Sequence, residues 1–532
     1  MNISVFSKNW FRPALTLMLM AGLAACNDSS DINENSANQP EAALSLGYKR
    51  INEPNENDPL NAHIYELSNG LQVYLTENHE EPRFYAEIAV RAGSKHDPAD
   101  GTGLAHYLEH LLFKGNQNLG TLNYAAEKPL LDEIVALYEE HFSETDEARR
   151  AEIYSEINRA AQEAAEYAIP NEIDKLYNTM GGTGLNAHTW YEETVYKIGL
   201  PSNRLQQWAE IESDRFVDPV FRLFHTELET VYEEKNRTLD NAGRIIGTAI
   251  DELLYKVHPY GQQPTIGTVD HLKNPSLVYI QNYFDTYYVP NNMGIFISGD
   301  IDIEETIELI SEKFGHWESK LIEEVGPWDE PSLQGAERRT VQYPGEEQVS
   351  IAFRTAENGH EDKEALILVD MILDNRTAGL INLNLTQQQL VSNAGSSPLF
   401  LNDYGSQNLY GVPRPNQTLQ EVEQLLLDQL NLIKSGEFED WIIPAIINDF
   451  KKNEKASLEF NTARVDAMRT SFIEGSEWDY HISEIDRMET LDKDDVVAVA
   501  NKYFGADYVS VYRVDDQHVL PPVEKPQIDP VN

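Results

Sequence analysis

The chain has 532 residues, 41% apolar and 10% aromatic, which is enough for two or more domains with their own cores and argues against disorder. Its 89 acidic residues outnumber 41 basic ones, and the net charge of −48 excludes nucleic-acid binding by phosphate neutralisation and argues against docking on anionic lipid through basic patches. A single cysteine, Cys26, excludes an internal disulfide framework, a CxxC redox pair and a cysteine-rich zinc site.

Residues 1–25 read as an export signal. Lys8 and Arg12 precede an apolar run too short to span a bilayer, which takes about 20 residues. The run ends at Leu23-Ala24-Ala25-Cys26, which resembles a bacterial lipoprotein box. That likeness implies a lipidated Cys26 and a periplasmic chain anchored to a bacterial membrane. Asn27, standing where Asp would retain it, points to the outer membrane rather than the inner. Residues 26–60 are polar and read as a flexible tether.

From residue 61 strand-like and helix-like patterns alternate. Gly70–Leu75 and Phe84–Ser94 read as strands, and Gly101–Lys114 as a helix with Leu104, Leu108, Leu111 and Leu112 on its apolar face. Residues 127–169 read as an inserted helical hairpin, with stripes at Leu130, Ile134, Leu137 and Tyr138, and at Ile153, Ile157, Ala160 and Ala164. It serves as a lid, a partner surface or a spacer. A strand at Gly294–Ile301 and a helix at Ile303–Phe314 follow, then a linker at 317–336. A second round begins with a strand at Val349–Thr355 and a helix at Glu364–Asn375.

The endings Val278–Val289 and Val499–Val511 share an Asn, an aromatic pair and a Tyr-Val step, which points to a duplicated unit. The expected fold is α+β: two homologous halves at 61–316 and 337–520, each a mostly antiparallel sheet covered by helices, with a tail at 521–532.

The chemistry is concentrated in Gly103–Gly115, GLAHYLEHLLFKG, where His106, Glu109 and His110 form H-x-x-E-H. At i and i+4 on a helix the two imidazoles share a face and can hold one divalent ion. Zinc lowers the pKa of its water toward about 7 and polarises a carbonyl. Glu109, beside it, can take the proton and return it to a leaving amine. Two histidines underfill a zinc site, and the acidic run Glu227–Asn236 is the best source of a third ligand. There Glu227 and Glu234 lie two turns apart on one helix face, with Glu229 and Glu233 elsewhere on the surface.

In order along the chain stand RAGS (Arg91–Ser94), GLAHYLEHLLFKG, LNAHT with ETVY (Leu185–Thr189, Glu193–Tyr196), ELETVYEEKN and HPYG (His258–Gly261). Together they resemble the inverted-zincin metallopeptidases, the family of pitrilysin, insulin-degrading enzyme and the mitochondrial processing peptidase. The resemblance implies one zinc ion per chain on His106, His110 and Glu234, with Glu109 as catalytic base and Glu227 supporting the site from behind. It implies that Asn186 and Ala187 lie on an edge strand that binds peptides as an added strand. His188, in the same strand, reads as exposed or substrate-facing. It further implies that two chains close around the substrate, as a homodimer or as a heterodimer with a second two-domain chain. A non-catalytic subunit or scaffold is the alternative. An Arg–Tyr pair of the family has no clear counterpart in the second half, where Arg376 and Tyr404 or Tyr410 come nearest. The surplus of acid fits either attraction of basic peptides or adaptation to a salty environment.

Overall fold

The computed structural model describes residues 47–516 apart from Arg376. Cys26, the export signal and the tail at 521–532 lie outside the described residues. Among the described residues, no helix is long and apolar enough to cross a membrane.

Seven strands form a first sheet: β1 (Tyr48–Arg50), β2 (His63–Leu67), β3 (Gln72–Glu77), β4 (Arg83–Val90), β5 (Thr183–Thr189), β6 (Thr194–Pro201) and β7 (Met293–Gly299). Their spatial order is β1-β2-β3-β7-β4-β6-β5. Five more form a second sheet: β8 (Glu337–Gln342), β9 (Gln348–Thr355), β10 (Asn393–Phe400), β11 (Gly405–Val412) and β12 (Val509–Val514), ordered β10-β11-β9-β12-β8. Taken in chain order, β3 to β7 correspond to β8 to β12, and the two spatial orders then coincide. Each sheet has one parallel pair, β3 with β7 and β8 with β12, at corresponding places. The halves are therefore one α+β unit built twice.

The helices of the first half that matter here are α1 (Leu104–Leu111), α2 (Tyr124–Ser143), α3 (Glu147–Ala165), α4 (Glu172–Thr179), α5 (Leu205–Arg215), α6 (Phe224–Leu239) and α7 (Ala242–Leu254). Alternate residues of the central strands face opposite ways. Val73, Leu75, Ile88, Ile295 and Ile297 share a core with Leu108, Leu111, Trp208 and Leu228 of the helices. The opposite face, with Ile64, Tyr74 and Phe296, is covered by Val465, Met468 and Phe472 of the helix Asn461–Glu474, from the second half. Reciprocally, Ile246, Ala249 and Ile250 of α7 cover Ala352, Val509 and Val511 of the second sheet. Each half thus lends a helix to the other's sheet.

Polar contacts line this seam. Arg91 of the RAGS stretch donates to the Phe472 carbonyl at 2.8 Å and stacks over the Phe472 ring. The HPYG stretch sits there too. His258 Nε2 meets Asp403 at 3.0 Å, and Tyr260 donates to Glu192 at 2.5 Å. Lys95 bridges Asp403 and Glu192 at 2.5 and 3.2 Å.

Three expectations need correction. Residues 47–60 are not tether: β1 pairs with β2, and Asp58 accepts from the Leu60 and Ala62 amides and from Trp478 Nε1, which seats a buried Leu60. The strand expected to reach Ser94 ends at Val90, and Ser94–His96 is a 3-10 turn. The helix expected from Gly101 begins at Leu104, because Gly103 takes φ 87, a left-handed value.

The inserted hairpin, α2 and α3, is not a detached lid. Its expected stripes lie in or against the main core. Glu127 and Arg222 form an ion pair at 2.9 Å with both side chains 1% exposed, and Tyr138 meets His225 Nδ1 at 2.7 Å. The hairpin braces the start of α6.

Candidate metal centre

Two helices build the site. α1 is fixed at its N-terminus by Asp97, whose buried carboxylate accepts the Gly103 and Ala105 amides at 2.7 and 2.9 Å. Burial lifts the Asp97 pKa to about 7 in spite of those bonds. A Cβ on Gly103 would lie 2.7 Å from the Gly267 Cα, so glycine is required here for space as well as for φ. Tyr107 donates to the Phe224 carbonyl at 2.6 Å, which ties α1 to the first residue of α6.

On this frame His106 Nε2 lies 3.4 Å and His110 Nε2 3.5 Å from the same oxygen, Oε2 of Glu234. Ligand atoms of all three residues lie within 4.8 Å of one another. For tetrahedral zinc with bonds near 2.05 Å, neighbouring donors stand about 3.3 Å apart. The two nitrogen–oxygen separations fit that geometry. The donor set, two imidazoles and a carboxylate, is that of an open site with room for a further ligand.

The surrounding groups orient these three. Glu227 Oε2 is 3.3 Å from His110 Nδ1, and Lys114 Nζ is 2.5 Å from Glu227 Oε1. A carboxylate on Nδ1 of His110 leaves Nε2 turned toward Glu234, the orientation in which that nitrogen could serve a metal. His106 Nδ1 is buried without a protein partner. Burial and the neighbouring His110 push the His106 pKa down to about 4. Burial also opposes charge on His110, but hydrogen bonds to Glu227 and Glu234 outweigh it and lift the pKa to about 9.

Glu109 is 7% exposed, and burial raises its pKa. Its Oε2 accepts the Thr189 hydroxyl at 2.7 Å. Thr189 ends β5, the edge strand of the first sheet, in which Asn186 and Ala187 pair with Lys197 and Tyr196 of β6 on one side only. His106, Glu109, His110, Asn186, Ala187, His188, Thr189, Glu227 and Glu234 all line one cleft of about 600 Å³.

His188 is half-buried there, between Glu193 at 3.2 Å and Lys197 at 3.3 Å, and is no part of the ligand cluster. Tyr404 donates to the Trp328 carbonyl at the seam, and Arg376 lies outside the described residues. The sequence motifs include Thr189, Lys114 and Glu193 but assign none of them a role. A hydroxyl at the end of an edge strand carries no periodic signal that separates it from any other threonine.

The family description "Insulinase (Peptidase family M16)" matches residues 72–129, and "Peptidase M16 inactive domain" matches residues 278–450. Zinc protease PqqE of Helicobacter pylori is 25% identical over 82% of this chain and 89% of its own length. Probable zinc protease PqqL of Haemophilus influenzae is also 25% identical, over 70% of this chain, which spans only 36% of that relative. The mitochondrial-processing peptidase subunit beta of Saccharomyces cerevisiae is 21% identical over 86% of this chain and 92% of its own. Among solved structures, a protease from Helicobacter pylori superposes with a TM-score of 0.71 at 21% identity, over 85% of this chain and 99% of that one. Pitrilysin matches with a TM-score of 0.65 at 16% identity, over 88% of this chain and 46% of its own. The two M16 family descriptions match in chain order, zinc proteases are among the relatives, and the solved structures share the fold of both halves of this chain, which is therefore similar to the M16 peptidases along most of its described length.

Proposed function

We propose that the chain is a zinc-dependent endopeptidase acting on peptides or unfolded polypeptides. The reading is carried by one observation: the three donor atoms and the Glu109 carboxylate converge in a cleft bordered by the free edge of β5. A zinc ion held by His106, His110 and Glu234 would supply Lewis acidity toward a carbonyl and toward water. Asn186 and Ala187 offer backbone groups to an extended peptide, which binds without regard to most of its side chains. Thr189 holds Oε2 of Glu109, leaving Oε1 to take a proton from the attacking water and later deliver it to the departing amine. Glu227 keeps His110 aligned.

The test is hydrolysis of a quenched fluorescent peptide library by the chain from residue 26 onward, carrying Cys26→Ser, with and without chelator. Chelator-sensitive cleavage that Glu109→Gln abolishes, with zinc retained, is the expected result. A Gln variant as active as the parent would remove Glu109 from the role of base.

We further read the working unit as two chains, homodimer or heterodimer, since this chain matches 46% of pitrilysin. Light scattering on the active protein checks this, and an active monomer would end it. The export reading of residues 1–26, with a relative described as the periplasmic protease PqqL of Escherichia coli, supports a periplasmic, lipid-anchored chain. Mass spectrometry of the mature N-terminus would find Cys26 acylated.

A further inference from the structure

The metal cleft is bordered by two arginines whose charge the site does not use. Arg237 lies three residues beyond Glu234 on α6, one turn along the same face. Arg244 stands in the first turn of α7, directly across the short α6–α7 connection. Both line the cleft with His106, Glu109, His110 and β5. Arg244 also lines an adjoining cleft of about 870 Å³ that continues past Trp190 and Tyr191. Their charges are felt inside: that of Arg237 at Glu234, and that of Arg244 at both His106 and Tyr191.

Among the described residues neither guanidinium has a hydrogen-bond or ion-pair partner, in a chain with 89 acidic residues. Neighbouring cations are engaged. Lys114 is held by Glu227, Arg339 by Glu252, and Lys235 donates to the Gly267 carbonyl at 2.8 Å. A guanidinium presents five donors in a planar fork matched to a carboxylate. A peptide added to the edge of β5 turns every second side chain toward the cleft, where these two forks stand.

We propose that Arg237 and Arg244 form a carboxylate-binding subsite beside the metal ligands, so that the chain selects peptides with acidic side chains flanking the cleaved bond. This rests on the peptidase reading above and reverses the preference for basic peptides that net charge alone would give. Long-range repulsion by the −48 surface is screened within about 8 Å at physiological salt, whereas the subsite acts at contact.

The test uses the zinc-loaded chain and matched quenched peptides carrying Asp and Glu, or Asn and Gln, within three residues of the cleaved bond. The parent is expected to favour the acidic peptides roughly 10-fold in kcat/KM, the effect of one good charge-assisted contact. The ratio should fall to near one in Arg237→Gln/Arg244→Gln and below one in Arg237→Glu/Arg244→Glu, with thermal midpoint and zinc content recorded for each. A parent ratio of one or less, or a ratio unmoved by charge reversal, overturns the proposal. If no peptide is cut, the peptidase reading fails separately. Binding of the same peptides to Glu109→Gln, read by fluorescence anisotropy, then decides the subsite, and equal affinities for the acidic and amide peptides overturn it.

Discussion

Arg469 donates to both carboxylate oxygens of Glu193, at 2.6 and 2.5 Å, across 276 positions of sequence. The same guanidinium donates to Glu87 of β4 at 2.8 Å, so one buried arginine from the second half satisfies two buried acids of the first. Glu193 in turn holds His188 in β5. The second half therefore reaches the wall of the metal cleft through a chain of polar contacts, besides covering the sheet behind it.

Removing that arginine strands two charges. Arg469→Leu is expected to cost about 3–5 kcal/mol, the range for breaking a buried ion pair from one side. Adding Glu87→Gln and Glu193→Gln should return much of the loss. Denaturant unfolding of the single and triple variants measures both, and a triple variant no better than the single one contradicts the account.

Glu227 and Glu234 of α6 should separate cleanly. Glu234→Ala deletes a donor and is expected to leave purified protein largely free of zinc. Glu227→Gln deletes only the support of His110, with a loss of about 10–100-fold in zinc affinity. Competition with a chromogenic chelator ranks the two. Unchanged zinc in the alanine variant would move the third ligand elsewhere on α6.

Thr189→Val leaves Oε2 of Glu109 buried without its donor. A lost hydrogen bond to a charged group is worth roughly 1.5–3 kcal/mol. A fall in kcat of about 10-fold or more is expected, with little change in KM. Thr189→Ser, which keeps the hydroxyl, should restore the rate.

A pH effect is expected in the second half of the chain. Burial pushes the Asp370 pKa from 3.8 up to about 6, although Ser396 and Gln407 both donate to its Oδ1. The folded state holds this proton more tightly than the unfolded chain does. Its contribution to stability is full below pH 4 and is lost as pH rises through about 6. Asn at this position keeps the acceptor and needs no proton. Asp370→Asn should melt above the parent at pH 8, by up to about 3 kcal/mol at 1.36 kcal/mol per unit, and lose that advantage at pH 4. Calorimetry at the two pH values checks the sign.

His106, Glu109 and His110 are legible in the sequence because i, i+4 spacing on a helix is a local property, whereas Glu234, on another helix, is reached only through the family resemblance. The hairpin stripes were readable for the same reason: Ile153, Ile157 and Ala160 repeat at helical period. The start of α1 differs from the expectation because it is set by a left-handed Gly103 whose amide is held by an aspartate six residues upstream. β1 has three residues and no alternation that repeats. The crossed packing of α7 and Asn461–Glu474 was not legible at all. Val465, Met468 and Phe472 announce an apolar helix face, but nothing in their spacing says which sheet will receive it.

That crossing bears on how the gene could be divided. The linker at 317–336 looks like a natural cut, yet a fragment ending there would carry Tyr74 and Phe296 bare, and its complement would carry Val509 and Val511 bare. Neither piece is a self-sufficient module. Expressed together, they should find each other and reassemble as complementing fragments, each acting as the other's folding template.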